Sequence, residues 1–179
     1  MFWWLLRQLN SEDPKTRSEA VRKLGVSGAP QAVAPLIAAL RDKDREVRKA
    51  AVEALGKIAD PRATAALIET LQKNVSLRTV VVTALGRSED PQALVAVEET
   101  LKNERDESAW LSLFKAAAAS GSPKTRQALL DEALRRLEAA RYRKAAVAAL
   151  EHLNWQLADE RGRAIQAVFR EDWSAAVAV

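Results

Sequence analysis

The sequence predicts an all-α protein built as a stack of helix pairs, and three observations carry that prediction. Four landmark types return together at spacings of 31 and then 30 residues: Leu24-Gly25, Leu55-Gly56 and Leu85-Gly86; Pro30, Pro61 and Pro91; Arg17, Arg48 and Arg78; and, with one more step of 31, the leucines Leu9, Leu40, Leu71 and Leu101. A fixed period of this length marks a repeat array. Apolar residues within each period fall at helical spacing, and no stretch shows the alternation of a half-buried strand. Six Gly and six Pro in 179 residues supply too few tight turns for an all-β fold.

Each period holds two helical patterns. The first starts at a proline: in Asp60-Pro61-Arg62-Ala63-Thr64-Ala65-Ala66-Leu67-Ile68-Glu69-Thr70-Leu71, Asp60 is an N-cap and Pro61 occupies the first helical position, where its missing N–H costs nothing. Asp90-Pro91 and Ser122-Pro123 repeat that start. Leu67, Ile68 and Leu71 make one apolar stripe. The second pattern begins near Asp44 and buries Val47, Ala51, Ala54, Leu55 and Ile58 on one face, with Gly56 read as the helix running out. The predicted repeats are 2–26, 30–58, 61–88, 91–121 and 123–153, with helices at 2–10 and 13–25, 30–41 and 44–58, 61–73 and 75–87, 91–102 and 106–120, and 123–138 and 141–153. A closing helix is predicted at 158–171, and the whole of 1–179 reads as a single domain. Aligned on Arg17, the residues Phe2, Leu5, Leu6 and Leu9 stand opposite Val33, Leu36, Ile37 and Leu40. The apolar start is therefore a first helix shortened by about a turn, with Trp3 and Trp4 partly exposed at the end of the stack.

Composition narrows the chemistry. With no Cys there is no disulfide framework, thiolate zinc site or cysteine nucleophile, and one His makes an imidazole metal centre improbable. His152 lacks a repeated acidic companion and reads as a surface or groove residue near a helix end. The acidic groups Glu98-Glu99 and Glu104/Asp106/Glu107 read as solvated positions, with Asp106 as an N-cap. The turns Gly25–Pro30 and Ser120–Pro123 have too few glycines for a phosphate loop. No catalytic residue, cofactor or metal site is predicted. The apolar run at the start ends at Arg7, well short of the roughly 20 residues that span a bilayer, and no signal peptide is evident. The expected location is the cytoplasm.

The pattern Asp44-x-x-Val47-Arg48-x-x-Ala51-x-x-Ala54-Leu55-Gly56, followed by Asp60-Pro61-Arg62-Ala63, resembles the HEAT-like repeats first associated with phycobilisome lyases. Ala34-Pro35-Leu36-Ile37-Ala38-Ala39-Leu40 is similar to the first helix of the same unit, including its proline. The resemblance is strongest in repeats two and three. It implies a right-handed α-solenoid with a concave face lined by the second helices. The family spans scaffolds, lyase subunits, hydroxylases and DNA-repair relatives, so the resemblance specifies architecture and not activity. Repeat four departs from it: Trp110 stands where the repeat arginine belongs, Glu98 aligns with Ile37 and Ile68, and the Leu-Gly ending is missing.

Two sets of residues are candidates for function. Arg17, Arg48, Arg78 and Arg143 form a ladder, read as structural: Arg17 toward Glu12 or Asp13, Arg48 toward Asp42 or Asp44, and a weaker third rung because position 74 is Asn. The second set points into the groove by resemblance: Arg22; Arg45, Lys49, Glu53 and Lys57; Thr79, Thr83 and Arg87; Lys115; Arg141 and Lys144. Basic residues outnumber acidic ones there, and Arg22, Lys49, Lys57 and Arg87 read as equivalent outward positions forming a basic track. The expected function is a non-catalytic scaffold whose groove takes a protein or acidic peptide. A subunit of a phycobilin-lyase-like complex and a DNA-binding protein are the alternatives. A net charge of +4 is too mild to favour nucleic acid. Aromatics exposed at Trp3 and Trp4 invite either self-association through the Trp-rich N-terminus or contact with a preceding segment.

Overall fold

A computed structural model describes residues 2–119, 123–137 and 143–152. Within them lie α1 (Phe2–Gln8), α2 (Pro14–Ser27), α3 (Val33–Ala39), α4 (Arg45–Ile58), α5 (Thr64–Lys73), α6 (Arg78–Leu85), α7 (Pro91–Asn103), α8 (Glu107–Ala118), α9 (Pro123–Leu137) and α10 (Arg143–His152). No strand occurs among the described residues. The predicted closing helix at 158–171 lies outside them.

Five helix pairs stack as the period requires. Odd and even helices pair as α1 with α2, α3 with α4, α5 with α6, α7 with α8 and α9 with α10, while α2, α4, α6, α8 and α10 pack successively on one another. A second layer runs through α5, α7 and α9. The core between the layers holds Leu24, Leu36, Leu55, Leu77, Leu85 and Leu101, all essentially fully buried. Leu5 is buried at the start, with Phe2, Leu6 and Leu9 partly buried against the same core.

Local chemistry sets where the helices begin. Asp13, Asp44 and Asp106 cap α2, α4 and α8, their carboxylates accepting backbone N–H bonds from the first turn. Asp60 and Asp90 do the same before Pro61 and Pro91. Single 3₁₀ turns at Pro30–Ala32 and Pro61–Ala63 precede α3 and α5. They delay the α-helix, so that Pro35 falls within the first turn of α3, where an N–H is not needed.

The glycines correct the sequence reading. Gly25 and Gly56 do not end their helices; both lie inside them, where the next helix approaches. A Cβ on Gly25 would lie 2.5 Å from the Cβ of Ala54, and one on Gly56 would lie 2.7 Å from the Cβ of Ala84. The endings fall three residues later, in the left-handed region, at Gly28 (φ 61°) and at Ala59 (φ 53°). The glycines thus let α2, α4 and α6 pack backbone against side chain. The other layer is looser. A cleft of about 60 Å³ opens between α3 and α5, and one of about 260 Å³ between α5 and α7.

The first pair has a distinct outer face. Where α4 buries Val47, Ala50 and Ala54, the corresponding positions of α2 are Thr16, Glu19 and Lys23. Lys23 and Glu19 form an ion pair at 2.8 Å, and Lys23 also lies over the Trp4 ring at 6.0 Å.

Candidate functional site

Counting from each N-cap shows which side chains share the open face of the second helices. The open strip contains the fifth, ninth and thirteenth residues after the cap, positions that lie four apart and so line one side of a helix. Arg22, Glu53, Thr83 and Lys115 are all ninth residues; Lys57 and Arg87 are both thirteenth; Lys49 and Thr79 are both fifth. Arg22, Lys57, Thr79, Arg87, Lys115 and Lys144 are exposed, as is Arg45 at the start of α4, while Lys49, Glu53 and Thr83 are half-buried. Arg141 lies outside the described residues. The expected equivalence of Arg22, Lys49, Lys57 and Arg87 does not hold: the four share a face but fall on three different rows of it.

Apart from Arg45, which meets Glu46 at 3.4 Å, the charges on this face stand apart from one another. Among the described residues, Arg22, Lys49, Lys57, Arg87, Lys115 and Lys144 form no ion pair. On or beside the first helices, by contrast, Arg41 and Lys73 both bind Glu69 (3.0 and 2.6 Å), Lys102 binds Glu98 (3.3 Å), and Arg62 binds Asp60 (2.7 Å). The Arg62 guanidinium, helped by the Arg62 N–H, pulls the Asp60 carboxyl down to about 2. Hydroxyls occupy the strip on α6, at Thr79 and Thr83, and lie beside it on α8, at Ser108 and Ser112. Thr83 donates to the Thr79 carbonyl (3.0 Å), Ser112 to the Ser108 carbonyl (2.9 Å), and Ser108 to the Asp106 carboxylate (2.8 Å).

The arginine ladder has a structural part, but its partners differ from those expected. Arg17, 5% exposed, grips Asp42 of the following repeat through Nε and Nη2 (both 2.8 Å), not Glu12 or Asp13. Its Nη1 donates to the carbonyls of Ser11 and Glu12. One arginine therefore closes its own interhelix turn and ties it to the next. Hydrogen bonding to Arg17 holds the Asp42 carboxyl below its ordinary range, against the opposing effect of burial. Arg48 donates in the same way to the carbonyls of Asp42 and Lys43, but its Nε has no partner. The position matching Asp42 in the next repeat is Gln72, so rung two is the weak one. Asn74 is the N-cap position, and rung three, Arg78, meets Glu104 at 3.8 Å. The side chain of Arg143 is not described.

Repeat four replaces the missing arginine with a donor that the sequence reading did not find. Trp110 is fully buried at the arginine position, packed on Phe114 with ring centroids 5.2 Å apart. The carbonyls of Leu101, Lys102 and Glu104 receive Arg136 instead, which arrives from α9. Arg136 stacks 5.4 Å from the Trp110 ring and bonds Glu132, itself 3% exposed. The only signal in the sequence was the Trp110 departure itself.

Among the described residues, no three His, Cys, Asp or Glu side chains stand close enough to hold a metal ion, and no helix is long and apolar enough to cross a membrane. His152 is exposed in the last turn of α10.

Residues 4–80 match the family of HEAT repeats. The fold is similar to that in the structure of the complex of CpcE and CpcF of phycocyanin lyase from Nostoc sp. PCC7120, with 24% identity and a TM-score of 0.58 over 86% of this chain. The match spans 65% of that lyase chain's length. A designed armadillo repeat protein matches at 23% identity and a TM-score of 0.48, covering 85% of this chain and 82% of the other. No curated protein matches this chain.

Proposed function

We propose that this array of HEAT repeats is a non-catalytic scaffold that binds an acidic segment of another protein across its second helices. The observation that carries the reading is the contrast in pairing: the strip cations have no carboxylate partner within the described residues, while most cations of the other layer do. Unpaired positive side chains on one face raise the encounter rate of an acidic partner. Curvature supports the same face. Helices that approach closely enough to require Gly25 and Gly56 are spaced more tightly than those separated by clefts. A stack tighter on one side bends toward it, which supports reading the second helices as the inner surface. Repeat arrays use such inner surfaces for binding, and a chain of this fold occurs in complex with a second protein in the phycocyanin lyase structure.

The test is titration of a fluorescent acidic peptide into the protein and into a Lys57→Glu, Arg87→Glu variant. Weaker binding with an unchanged melting curve supports the reading. Equal binding by both proteins overturns it. A fall in oligonucleotide affinity of about 10³-fold or more between 50 and 200 mM salt, with no peptide binding, points to nucleic acid instead.

A second contact is proposed at the end of the stack, where Trp3 is 81% and Trp4 55% exposed. Such exposed aromatic surface favours self-association. Sedimentation over a concentration series should show it, and Trp3→Ser with Trp4→Ser should abolish it.

A further inference from the structure

The strip cations form a line as well as a charge. Lys57 on α4 and Arg87 just past α6 are thirteenth residues after their caps, Lys115 on α8 is a ninth, and Lys144 directly follows the repeat arginine Arg143, the place of a fifth residue. These four helices are packed in that order. The line therefore holds level from α4 to α6 and then shifts by four residues at each step, about 6 Å along the helix axis. Packed helices lie about 8–10 Å apart, so each cation is about 8–12 Å from the next.

A polyproline II chain turns once every three residues and rises about 9.3 Å in doing so, so every third side chain returns to the same face at nearly this interval. A helical ligand with acids every seventh residue would have a similar repeat, about 10.5 Å. The hydroxyls on α6 and α8 decide between them. Thr83, Ser108 and Ser112 each direct their hydrogen into bonds within this chain, so toward a ligand they offer lone pairs, which need donors. An extended peptide has free backbone N–H groups; a helix has used nearly all of its own.

Resting on the function proposed above, we infer that the occupant is an extended acidic peptide crossing α4, α6, α8 and α10 diagonally, with one acidic side chain in every three residues. Glu53 opposes it. It lies four residues from both Lys49 and Lys57 and lowers the potential where the line begins.

Three peptides of equal length and equal Glu content test this by fluorescence anisotropy. One carries Glu at every third position between Pro and Ala, one has the Glu residues contiguous, and one is a stable helix with its Glu residues on one face. The every-third peptide should bind at least tenfold tighter than either of the others. Lys115→Ala should remove most of that advantage, and Glu53→Gln should tighten binding several-fold. Equal affinity for all three overturns the spacing while leaving an acidic partner in place. Preference for the helix overturns the extended form. Binding of none of them overturns both this inference and the function on which it rests.

Discussion

In repeat one, Arg17 of α2 donates to the carbonyls of Ser11 and Glu12 and reaches forward to Asp42. In repeat four, the equivalent place holds Trp110, and the carbonyl of Glu104, which corresponds to that of Ser11, is bonded by Arg136 from the following repeat. Both arrangements satisfy carbonyls at the turn between two helices, and both tie one repeat to the next. They differ in direction: the first sends its cation forward from the second helix, the other sends it backward from a first helix. The comparison teaches that what the fold requires at this turn is a buried donor set, and that the sequence can supply it from either side. Arg48 lies between these cases, since it closes its own turn but has Gln72 at the sequence position where Arg17 has an acid.

The largest effect should come from breaking the backward arrangement. Among the described residues, Arg136→Ala leaves the buried Glu132 with only the more exposed Arg135 and strips donors from three carbonyls. It should cost about 3 kcal/mol or more in urea denaturation, whereas Arg48→Ala should cost clearly less. A similar cost for the two would erase the distinction drawn here.

Gly56→Ala probes the packing that the forward repeats share. Alanine favours a helix over glycine by about 1 kcal/mol, yet the new methyl would press on both Cα and Cβ of Ala84. The variant should be destabilised by about 1–3 kcal/mol. A gain in stability would show that the layer can open without strain. Ala59→Gly should act in the opposite sense, because Ala59 ends α4 at φ 53° where Gly28 ends α2 at φ 61°. Relief of that strain should add about 1 kcal/mol, read as a higher melting temperature.

Acid should separate the two regions by a smaller margin. The folded-state pKa of Asp42 is depressed by Arg17, so its contribution is fully present above the unfolded carboxylate value of about 4. It is lost as pH falls through the lower folded value. Stability measured from pH 5 down to pH 2 should therefore fall less steeply in Asp42→Asn than in the parent, and an unchanged slope would remove Asp42 from the account.

The period of Leu, Pro and Arg was enough to place the helix pairs, because each landmark has a local cause: a cap, a first-turn proline, a buried stripe. Asp60, Asp90 and Asp106 were readable as caps for the same reason. What escaped the sequence acts between repeats. The acid of Arg17 lies 25 residues onward, and the carbonyls held by Arg136 lie 32 to 35 residues back. Gly56 looked like a helix ending because its neighbour across the interface, Ala84, is one repeat away. The groove residues were assigned to one face, yet a face includes several rows four residues apart, so sharing it did not make Arg22 and Lys57 equivalent.

The glycine contacts also govern how the stack responds to force. At Gly25–Ala54 and Gly56–Ala84 the α2–α4–α6 layer has no slack to give, whereas the clefts beside α5 can widen or shut. Flexing of the array should pivot on the second helices and be taken up by the first ones. The interval between Lys57 and Arg87 should then act as a ruler of fixed length, holding its measure while the rest of the molecule bends.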